Sequence, residues 1–289
     1  MTVFALIPVF NRLSHTMRVI DALRAQTAAS AIRILVIDDG STDGTGEYLK
    51  AQHDVEVLTG DGDLWWGGAI ELGLRHALKR ATGEDYVLFL NNDTWFQSDY
   101  VETLVRLSRA NGGAAMGSVV HEEGRDIPLA KVGPRLDLNQ LRVWDIVSEL
   151  SPAEKLQPQP IYKVDALSGR GTIFPASLFH RYGRMRPVLL PHYLADYELS
   201  MRFARHGVEL LISTEAVVYS PPVYGSEMSG LSWWGRMFSR RSATNVFRLA
   251  IFFMLVGTPW QRVTAPVQMV VKVMRKAIPQ RMRSRQNPT

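Results

Sequence analysis

Residues 86–94 read Tyr-Val-Leu-Phe-Leu-Asn-Asn-Asp-Thr, an apolar run that ends abruptly in two amides and a carboxylate. The apolar part contains β-branched and aromatic residues, which predicts a strand buried on both faces of a sheet. Ligands of open α/β sheets bind at the carboxyl ends of such strands, so we expect Asp93 to project into a site. A carboxylate there suits Mg²⁺ or Mn²⁺, which bind mostly through one or two carboxylates and substrate phosphates. The alternative is a strand followed by an ordinary Asn/Asp turn.

Other strands are predicted on both sides of this run. Strands at residues 3–9 and 32–37 enclose a helix with an apolar face, and this βαβ pattern predicts a parallel sheet. Further strands are predicted at 55–58 and 114–120, and two closing strands at 208–212 and 216–219. We expect the polar residues 121–160, which have no clear periodicity, to form a long excursion over one face.

The second strand leads into residues 38–45, Asp-Asp-Gly-Ser-Thr-Asp-Gly-Thr. Asp39 and Gly40 have the residue types of a turn, which accounts for the glycine. A turn does not account for two adjacent carboxylates at a strand end, where like charges repel. We therefore favour a binding role, in which an aspartate at the end of the strand accepts the N–H of a uracil or thymine ring.

A glycine-rich loop, residues 60–68, precedes a helix with an apolar stripe. Its glycines allow the backbone to approach a ligand closely, and the start of the helix could favour a phosphate. The Trp65–Trp66 pair is as readily explained by core packing as by stacking on a ligand. The sequence Gly169-Arg170-Gly171 lacks the third glycine of a dinucleotide-binding fingerprint, which excludes that assignment.

A helix is predicted to begin near Asp196 and to stop at Gly207. The helix dipole stabilises a carboxylate in the first turn, which by itself accounts for Asp196. The same placement would keep Asp196 ionised, as a general base must be.

Composition excludes several classes of protein. The chain of 289 residues is 46% hydrophobic and 21% charged, which is typical of a globular protein. It contains no cysteine, which excludes disulfides and zinc–thiolate sites and fits a reducing compartment. The first eight residues lack a basic region and end in a proline, so we expect a first strand there rather than a signal peptide.

Charge is distributed unevenly along the chain. No acidic residue follows Glu227, whereas two lysines and nine arginines do, so this tail carries +11 and the rest of the chain −6. A basic, apolar tail indicates a membrane surface or a nucleic acid as partner. The rest of the chain has no basic motif interleaved with aromatic residues, so we expect no nucleic-acid partner.

The apolar segments of the tail favour a membrane surface. Residues 245–256 are interrupted by Arg248 and fall short of the roughly 20 apolar residues of a spanning helix. A basic amphipathic helix is predicted after Pro266, and it suits an anionic membrane surface. Its apolar face comprises Val267, Val270, Val271, Met274 and Ile278. The alternative is a helical cap or a contact within a homo-oligomer.

Four stretches together resemble the signatures of family-2 glycosyltransferases of the GT-A fold. They are residues 8–12 (Pro-Val-Phe-Asn-Arg), 37–45, 90–93 (Leu-Asn-Asn-Asp) and 195–202 (Ala-Asp-Tyr-Glu-Leu-Ser-Met-Arg). The resemblance runs from about residue 3 to residue 219. It implies an α/β, Rossmann-like nucleotide-binding fold with a mixed, mainly parallel sheet flanked by helices. We accordingly divide the chain into a GT-A domain, residues 1–227, and a basic helical extension, residues 228–289.

The resemblance also implies roles for individual residues. The nucleotide-binding residues would be Pro8, Phe10, Asn11, Arg12, Asp39, Asp63, Trp66, Gly67 and Asn92. Asp39 would hold the N–H of the base, and Asp93 would ligate the Mg²⁺ or Mn²⁺ that bridges the donor's phosphates. Asp196 matches the general base, which deprotonates the acceptor hydroxyl for in-line attack at the anomeric carbon with inversion.

The sequence departs from the pattern of the family in three respects. Ala195 stands where many relatives carry a glutamate, and Tyr219 lies where a histidine metal ligand is often found. Ile70 and Glu71 replace an arginine or asparagine that often follows the glycine-rich loop.

By this resemblance we expect an inverting glycosyltransferase. It would move a sugar from a UDP- or dTDP-sugar to a hydroxyl of a glycan or lipid-linked acceptor in bacterial cell-surface polysaccharide synthesis. The Asn-Asn-Asp run and the Trp-Trp-Gly loop are similar to rhamnosyltransferase-like members. We expect a cytoplasmic protein, peripheral on the inner face of the plasma membrane.

Two alternatives remain: a catalytically inactive nucleotide-binding scaffold of the same fold, and a nucleotidyltransferase. The latter class usually has a glycine-rich loop with a basic residue directly after the first strand. Residues 8–11 do not provide one.

Overall fold

The computed structural model describes residues 1–28, 31–124, 131–221, 237–239, 242 and 245–277. Residues 270 and 272–277 are described by their backbone alone. An eight-stranded sheet forms the centre of the structure. The described residues form ten strands, eight of which belong to this sheet: β1 (Val3–Val9), β2 (Ile32–Asp38), β3 (Val55–Thr59), β4 (Tyr86–Phe89), β5 (Ala115–Glu122), β6 (Pro134–Asp137), β7 (Arg142–Asp145), β8 (Ile161–Lys163), β9 (Thr172–Pro175) and β10 (Leu210–Ser220). The order in the main sheet is β3-β2-β1-β4-β9-β5-β10-β8, and β6 pairs with β7 in a separate hairpin.

Helices cover both faces of this sheet. They are α1 (Leu13–Arg24), α2 (Thr45–Lys50), α3 (Trp65–Ala77), α4 (Tyr100–Ala110), α5 (Pro152–Leu156), α6 (Ala176–Tyr182), α7 (Ala195–Ala204), α8 (Val246–Val256) and α9 (Pro259–Ala277). Alternate residues of β1 enter different apolar layers. Phe4 and Leu6 pack in the layer of α3, α6, α7 and α8, and Ala5 and Ile7 pack in the layer of α1 and α4. The prediction that the central strands are buried on both faces is confirmed.

Strand direction brings several loop ends to one edge of the sheet. β1, β2 and β4 are parallel, with Val9 opposite Asp38 and Leu6 opposite Phe89, so all three end at this edge. β9 runs antiparallel to β4, and its first residue, Thr172, lies opposite Phe89. The residues just before Thr172 therefore lie at the same edge, which we call the carboxyl edge.

The other half of the sheet contributes to the carboxyl edge as well. β5 is antiparallel to β9 and parallel to β10. Both strands therefore end there, at Glu122 and Ser220, which lie opposite each other. An antiparallel bridge between Trp95 and Tyr219 ties the segment after β4 to the end of β10.

The second half of the chain differs from the sequence analysis in two places. The described part of residues 121–160, predicted as a long excursion, contains the β6–β7 hairpin and α5, which begins in a capping box formed by Ser151 and Glu154. The two predicted closing strands are one strand, β10, in which the register to β5 shifts between Ser213 and Val217. That irregularity interrupts the alternation of apolar residues, and the sequence pattern therefore suggested a break.

The C-terminal helices pack on the domain. Phe252, Phe253 and Val256 of α8 are buried in the layer that contains α7. Arg205, at the end of α7, donates a 2.9 Å hydrogen bond to the carbonyl of Leu255. No helix in the described ranges is long and apolar enough to cross a membrane. The domain boundary between residues 227 and 228 lies outside the described residues and remains a prediction.

The start of α9 differs from the prediction. The helix begins at Pro259 rather than after Pro266, which lies inside it. Thr258 and Gln261 exchange backbone-to-side-chain hydrogen bonds of 2.9 and 3.4 Å at this start. This is a capping box with proline at the first helical position. The side chains of Val270, Met274 and Ile278, assigned to the amphipathic face, lie outside the described part.

Candidate functional site

Backbone strain is concentrated at the carboxyl edge. Among the described residues, five that are not glycine have a positive φ, and Leu141, in the β6–β7 turn, is the one remote from this edge. The other four are Asn11 (59°), Arg12 (65°), Trp65 (56°) and Leu194 (69°). Such conformations cost free energy and occur preferentially at binding and catalytic sites. The carboxyl edge is therefore the candidate site.

Asp93 lies in this edge, as predicted, directly after β4. Its Oδ2 forms an ion pair of 3.3 Å with Arg12 Nη1, and its side chain is 15% exposed. Its Oδ1 is buried and has no hydrogen-bond partner among the described residues. A buried carboxylate oxygen without a donor is costly, and a hard cation would satisfy it. The residue therefore fits a divalent metal ion as ligand.

The described residues contain no cluster of three histidine, cysteine, aspartate or glutamate side chains that could hold a metal. At the position where relatives often carry a histidine, the ring of Tyr219 stacks on that of Trp95 at 6.0 Å. The guanidinium of Arg18 covers the same indole at 3.4 Å.

Asp38 and Asp39 are both buried, and each holds a different loop. Asp38 Oδ1 accepts the N–H of Ser41 at 3.0 Å. The Asp39 carboxylate accepts the N–H groups of Gly62, Leu64 and Trp65 at 2.9 to 3.1 Å. These bonds explain why two adjacent carboxylates stand at the end of this strand, which the residue types of a turn did not explain. Asp39 fixes the glycine-rich loop at the carboxyl edge, and its predicted contact to a base remains a prediction.

The residues after β1 form the rim of the site. Asn11 accepts the N–H of Thr42 at 2.8 Å through Oδ1 and donates its own N–H to Ser41 Oγ at 2.8 Å. These bonds join the ends of β1 and β2. Pro8 is the partly exposed member of β1, and the ring of Phe10 is 58% exposed. An exposed aromatic ring beside polar loop ends is available to a planar ligand.

The two tryptophans of the glycine-rich loop have different surroundings. Trp65 Nε1 donates to Asp63 Oδ1 at 2.7 Å, and its ring centroid lies 5.8 Å from that of His192. Trp66 Nε1 donates to Asn91 Oδ1 at 3.0 Å, and its ring packs edge-on against Phe89. Trp66 thus belongs mainly to the core, whereas Trp65 and Asp63 lie on the open side of the loop.

Gly67 and Asn92 use their polar groups within the protein. The N–H of Gly67 donates to the carbonyl of Pro191 at 2.7 Å, in a contact too close for a Cβ. Asn92 is buried, and its Nδ2 contacts Thr16 Oγ1 of α1 at 3.3 Å. Both stabilise the walls of the site, and their predicted contacts to a nucleotide remain predictions.

Asp196 lies in the first turn of α7, as predicted, and faces β9. Its Oδ2 accepts the N–H of Gly169 at 2.8 Å, and its Oδ1 accepts the N–H of Tyr197 at 2.9 Å. Burial raises its pKa to about 6, although the two N–H groups and the charge of Arg170 act in the opposite direction. The carboxylate is therefore largely ionised at neutral pH and titrates closer to neutrality than an exposed aspartate.

Arg170 is a charged residue of the carboxyl edge that the sequence patterns did not single out. It precedes β9 and therefore lies at the carboxyl edge, where Asp93, Asp196 and Glu122 act on its charge. Burial lowers its pKa to about 10, and the three carboxylates partly offset this change. A partly buried cation whose pKa is changed by burial and by several carboxylates indicates a candidate functional site, and this arrangement depends on the fold.

A loop anchored by ion pairs leads into Asp196. Glu71 of α3 is buried, and its Oε1 contacts Arg184 at 3.1 Å and Arg75 at 2.8 Å. Glu198 of α7 is buried and pairs with Arg186 at 3.3 Å and with Arg202 at 3.1 Å. Glu71, at the position where relatives often carry an arginine or asparagine, thus helps to hold the segment between α6 and α7.

Comparison with protein families gives a match over residues 4–152, more than half of the chain, to the model described as "Glycosyl transferase family 2". Curated relatives include "Glycosyltransferase GlyA" of Streptococcus pneumoniae, 31% identical over 103 residues. That match covers 35% of this chain and 14% of the relative. "Succinoglycan biosynthesis protein ExoA" of Rhizobium meliloti is 32% identical over 108 residues, 37% of this chain and 32% of the relative. The matched part thus spans less than a third of the length of either relative.

Among solved structures, one described as "Crystal structure of GalNAc-T7 with UDP, GalNAc and Mn2+" superposes with a TM-score of 0.63. It is 16% identical in sequence, and the alignment covers 87% of this chain and 47% of that one. At this identity the likeness concerns the fold alone. The predicted GT-A fold, with its mixed, mostly parallel sheet, is thereby confirmed.

Proposed function

Because the chain belongs to glycosyl transferase family 2, we propose that it transfers a sugar from a nucleotide-diphosphate donor to a hydroxyl group. One observation carries this proposal: residues 169–171 connect Asp196 to the end of β4, the strand that leads into Asp93. The N–H of Gly169 donates to Asp196 Oδ2 at 2.8 Å, and the N–H of Gly171 donates to the carbonyl of Phe89 at 2.9 Å. The carboxylate of Asp93 suits the phosphate end of a donor, where it would hold a metal ion. The carboxylate of Asp196 suits the role of proton acceptor. An inverting, metal-assisted transfer of a sugar from a nucleoside diphosphate uses both groups.

The donor site would extend along the ends of β1, β2 and β4. Phe10, Asn11 and Arg12 offer an aromatic ring, an amide and a cation at the rim, which suits a nucleoside. We propose a UDP- or dTDP-sugar, with Asp39 near the base and Asp63 near the ribose. The solved structure of similar fold contains UDP, GalNAc and Mn²⁺, which supports a pyrimidine nucleotide without identifying the sugar.

Asp196 would act as the general base. It accepts the proton of the acceptor hydroxyl while that oxygen bonds to the anomeric carbon and the bond to the diphosphate oxygen breaks. Attack from the face opposite the leaving group inverts the anomeric configuration. A positioned base of this kind contributes about 10²–10⁴-fold to the rate, and the pKa of about 6 keeps Asp196 ionised at neutral pH.

Asp93 would hold a divalent metal together with the donor's phosphates. A Mg²⁺ or Mn²⁺ ion bound there would neutralise charge that develops on the departing nucleoside diphosphate. The unsatisfied, buried Oδ1 of Asp93 supports this assignment.

We propose a glycan or lipid-linked acceptor in bacterial cell-surface polysaccharide synthesis, and a rhamnosyltransferase-like specificity. The name of the Rhizobium meliloti relative, a succinoglycan biosynthesis protein, supports a polysaccharide product. The loop from α6 to α7 would contribute to the acceptor side, because it leads directly into Asp196 and is fixed by buried ion pairs.

We also propose that the C-terminal helices rest on an anionic membrane surface, on the cytoplasmic side. On α9, Trp260, Val263, Val267 and Val271 form a stripe on one face and are 74%, 67%, 63% and 40% exposed. The opposite face, with Ala265 and Met269, is buried. The chain after Glu227 has eleven basic residues and no acidic one, which is complementary to anionic lipid.

Calorimetric titration with UDP and with dTDP, each in Mn²⁺ and in EDTA, tests the donor assignment. We expect one nucleotide to bind, and Asp93→Asn to reduce the part of the affinity that depends on Mn²⁺. The matched control is Asp99→Asn, because Asp99 is an exposed aspartate at the start of α4. Absence of binding by either nucleotide under both conditions would overturn the proposal, and binding without turnover of any donor would favour the inactive scaffold.

A further inference from the structure

We propose that a cavity beside the end of α7 binds a phosphate group, at a site separate from the carboxyl edge. The cavity lies between α7, the loop that precedes it and the turn from α8 to α9, and we call it the arginine cavity. Its ligand is recognised by negative charge and oxygen acceptors, whether a phospholipid headgroup or free phosphate supplies them. The inference does not depend on the proposed sugar transfer.

The arginine cavity has a volume of about 220 Å³, several times the roughly 30 Å³ that one water molecule takes up in the liquid. Leu255 and Val256 of α8 form its apolar wall. The polar part of the lining consists of Arg186, Glu198, Arg202, Arg205, His206 and Arg262. Four guanidinium groups and one carboxylate therefore line this space, which carries an excess of positive charge.

The carboxylate of Glu198 neutralises only part of this charge. Its side chain is 3% exposed, and it pairs with Arg186 at 3.3 Å and with Arg202 at 3.1 Å. Arg202 also donates hydrogen bonds to the carbonyls of Tyr182 and Arg184. These two arginines are therefore held by the carboxylate and by the backbone, and the excess charge lies at Arg205 and Arg262.

Arg205 and Arg262 contact the backbone of the turn from α8 to α9. Arg205 Nη1 donates to the carbonyl of Leu255 at 2.9 Å, and Arg262 Nε donates to the carbonyl of Gly257 at 3.1 Å. Neither arginine pairs with a carboxylate in the part of the chain that the structure describes. A guanidinium has five N–H donors, so both retain donors for a ligand. Phosphate oxygens are the acceptors that this planar group binds in pairs.

The two arginines also lie close enough to repel each other. Burial lowers the pKa of Arg205, and the charge of Arg262 lowers it further, whereas Glu198 acts in the opposite direction. The carboxyl ends of α7 and α8 favour cations, which explains why an arginine is tolerated here. They do not explain two neighbouring guanidinium groups without a shared anion. A phosphate between them would replace the repulsion by two attractive contacts.

The position of the arginine cavity separates it from the donor site and brings it near the exposed stripe of α9. Arg205 follows Asp196 by nine positions, which corresponds to about 14 Å along a helix axis. Arg262 lies between Trp260 and Val263 in the chain, and these side chains are 74% and 67% exposed. Tryptophan rings settle at the level of lipid headgroups, so a headgroup phosphate is within the reach expected of this site.

The test measures binding of two ligands to the full chain by calorimetry: inorganic phosphate, and a short-chain phosphatidic acid kept below its critical micelle concentration. The test variant carries Arg205→Gln and Arg262→Gln. The matched control carries Arg33→Gln and Arg106→Gln, at exposed positions of β2 and α4, and has the same net charge. We expect the test variant to weaken binding about tenfold or more, and the control to leave it unchanged. Phosphate bound at the donor site is common to all variants and does not alter the comparison.

The two ligands distinguish the sources of the phosphate group. A loss for phosphatidic acid alone assigns the site to a lipid headgroup, and a loss for both ligands or for inorganic phosphate alone assigns it to free phosphate. Equal affinities of the test variant and the unsubstituted protein for both ligands would overturn the inference, as would absence of binding of either ligand by the unsubstituted protein. Arg262→Gln alone repeats the comparison should the double substitution fail to fold. If phosphate binds here but vesicles of anionic phospholipid do not bind the chain, the membrane proposal fails and this inference stands.

Discussion

Gly169 and Asp196, 27 positions apart in the chain, are joined by a hydrogen bond of 2.8 Å from the backbone N–H of Gly169 to Oδ2 of Asp196. The bond orients the carboxylate proposed as general base and fixes the backbone beside Arg170. The same glycine packs against Trp66, whose loop is held by Asp39. Gly169, which has no side chain, thus connects the proposed general base Asp196, the backbone that carries Arg170 and the glycine-rich loop.

Replacing Asp196 by asparagine should abolish sugar transfer and leave the affinity for the nucleotide donor unchanged. We expect a rate loss of about 10²–10⁴-fold, because asparagine cannot accept the proton of the acceptor hydroxyl. Steady-state kinetics measure the loss, and calorimetry should give unchanged nucleotide affinity. Asp21→Asn, on the exposed face of α1, is the control. Full activity of Asp196→Asn would exclude this residue as the base.

Transfer should depend on pH through Asp196. Its pKa is raised to about 6 by burial, and the ionised form is the active base. The rate should therefore be constant above neutrality, fall to half near the pKa and fall about tenfold for each further pH unit. A profile of kcat/KM between about pH 4 and pH 8, roughly two units either side of the pKa, measures this. A rate that rises as the pH is lowered through 6 would contradict the assignment.

Replacing Gly169 by alanine should destabilise the protein and disturb the site. The added methyl group would overlap the six-membered ring of Trp66, and overpacking of this kind costs about 1–3 kcal/mol. Urea denaturation measures the change in the free energy of unfolding. Gly83→Ala is the control, since a Cβ there meets open space.

A second substitution at Trp66 tests the cause of that destabilisation. Trp66→Leu should recover part of the loss in the Gly169→Ala background, because it makes room for the methyl group. Strictly additive effects of the two substitutions would show that the ring is not the obstacle.

Membrane attachment should depend on the exposed stripe of α9. Val267→Ser should weaken binding to vesicles of anionic phospholipid about tenfold, since full burial of a valine side chain contributes about 1.5 kcal/mol or more. Trp260→Ser should have a larger effect because its ring is larger. Co-sedimentation measures the binding, with Val143→Ser as control, an exposed valine of β7 (51%).

Two outcomes would contradict the membrane proposal. One is equal sedimentation of Val267→Ser and the unsubstituted protein. The other is a change of oligomeric state on substitution without any vesicle binding, which would assign the stripe to a homo-oligomer contact.

Several features follow from local sequence. The alternating and continuous apolar runs predicted β1, β2, β3, β4 and β5, because burial on one or both faces imposes its period on neighbouring residues. The same patterns predicted that Asp93 lies after the end of a strand and that Asp196 lies at the start of a helix. Two helix starts were missed although the sequence contains their capping boxes, at Ser151–Glu154 and at Thr258–Gln261. These are short-range signals that the hydrophobic pattern does not include.

The sequence by itself therefore determined the fold class, the order of the first strands and the two carboxylates of the proposed site, because these depend on neighbours in the chain. Only the tertiary structure decided what surrounds them. β9 pairs antiparallel between β4 and β5, which brings Arg170 to the carboxyl edge, and Asp39 bonds to a loop more than 20 residues away. Such contacts join residues that are distant in sequence, and their geometry is set by sheet pairing and core packing, which no local pattern specifies.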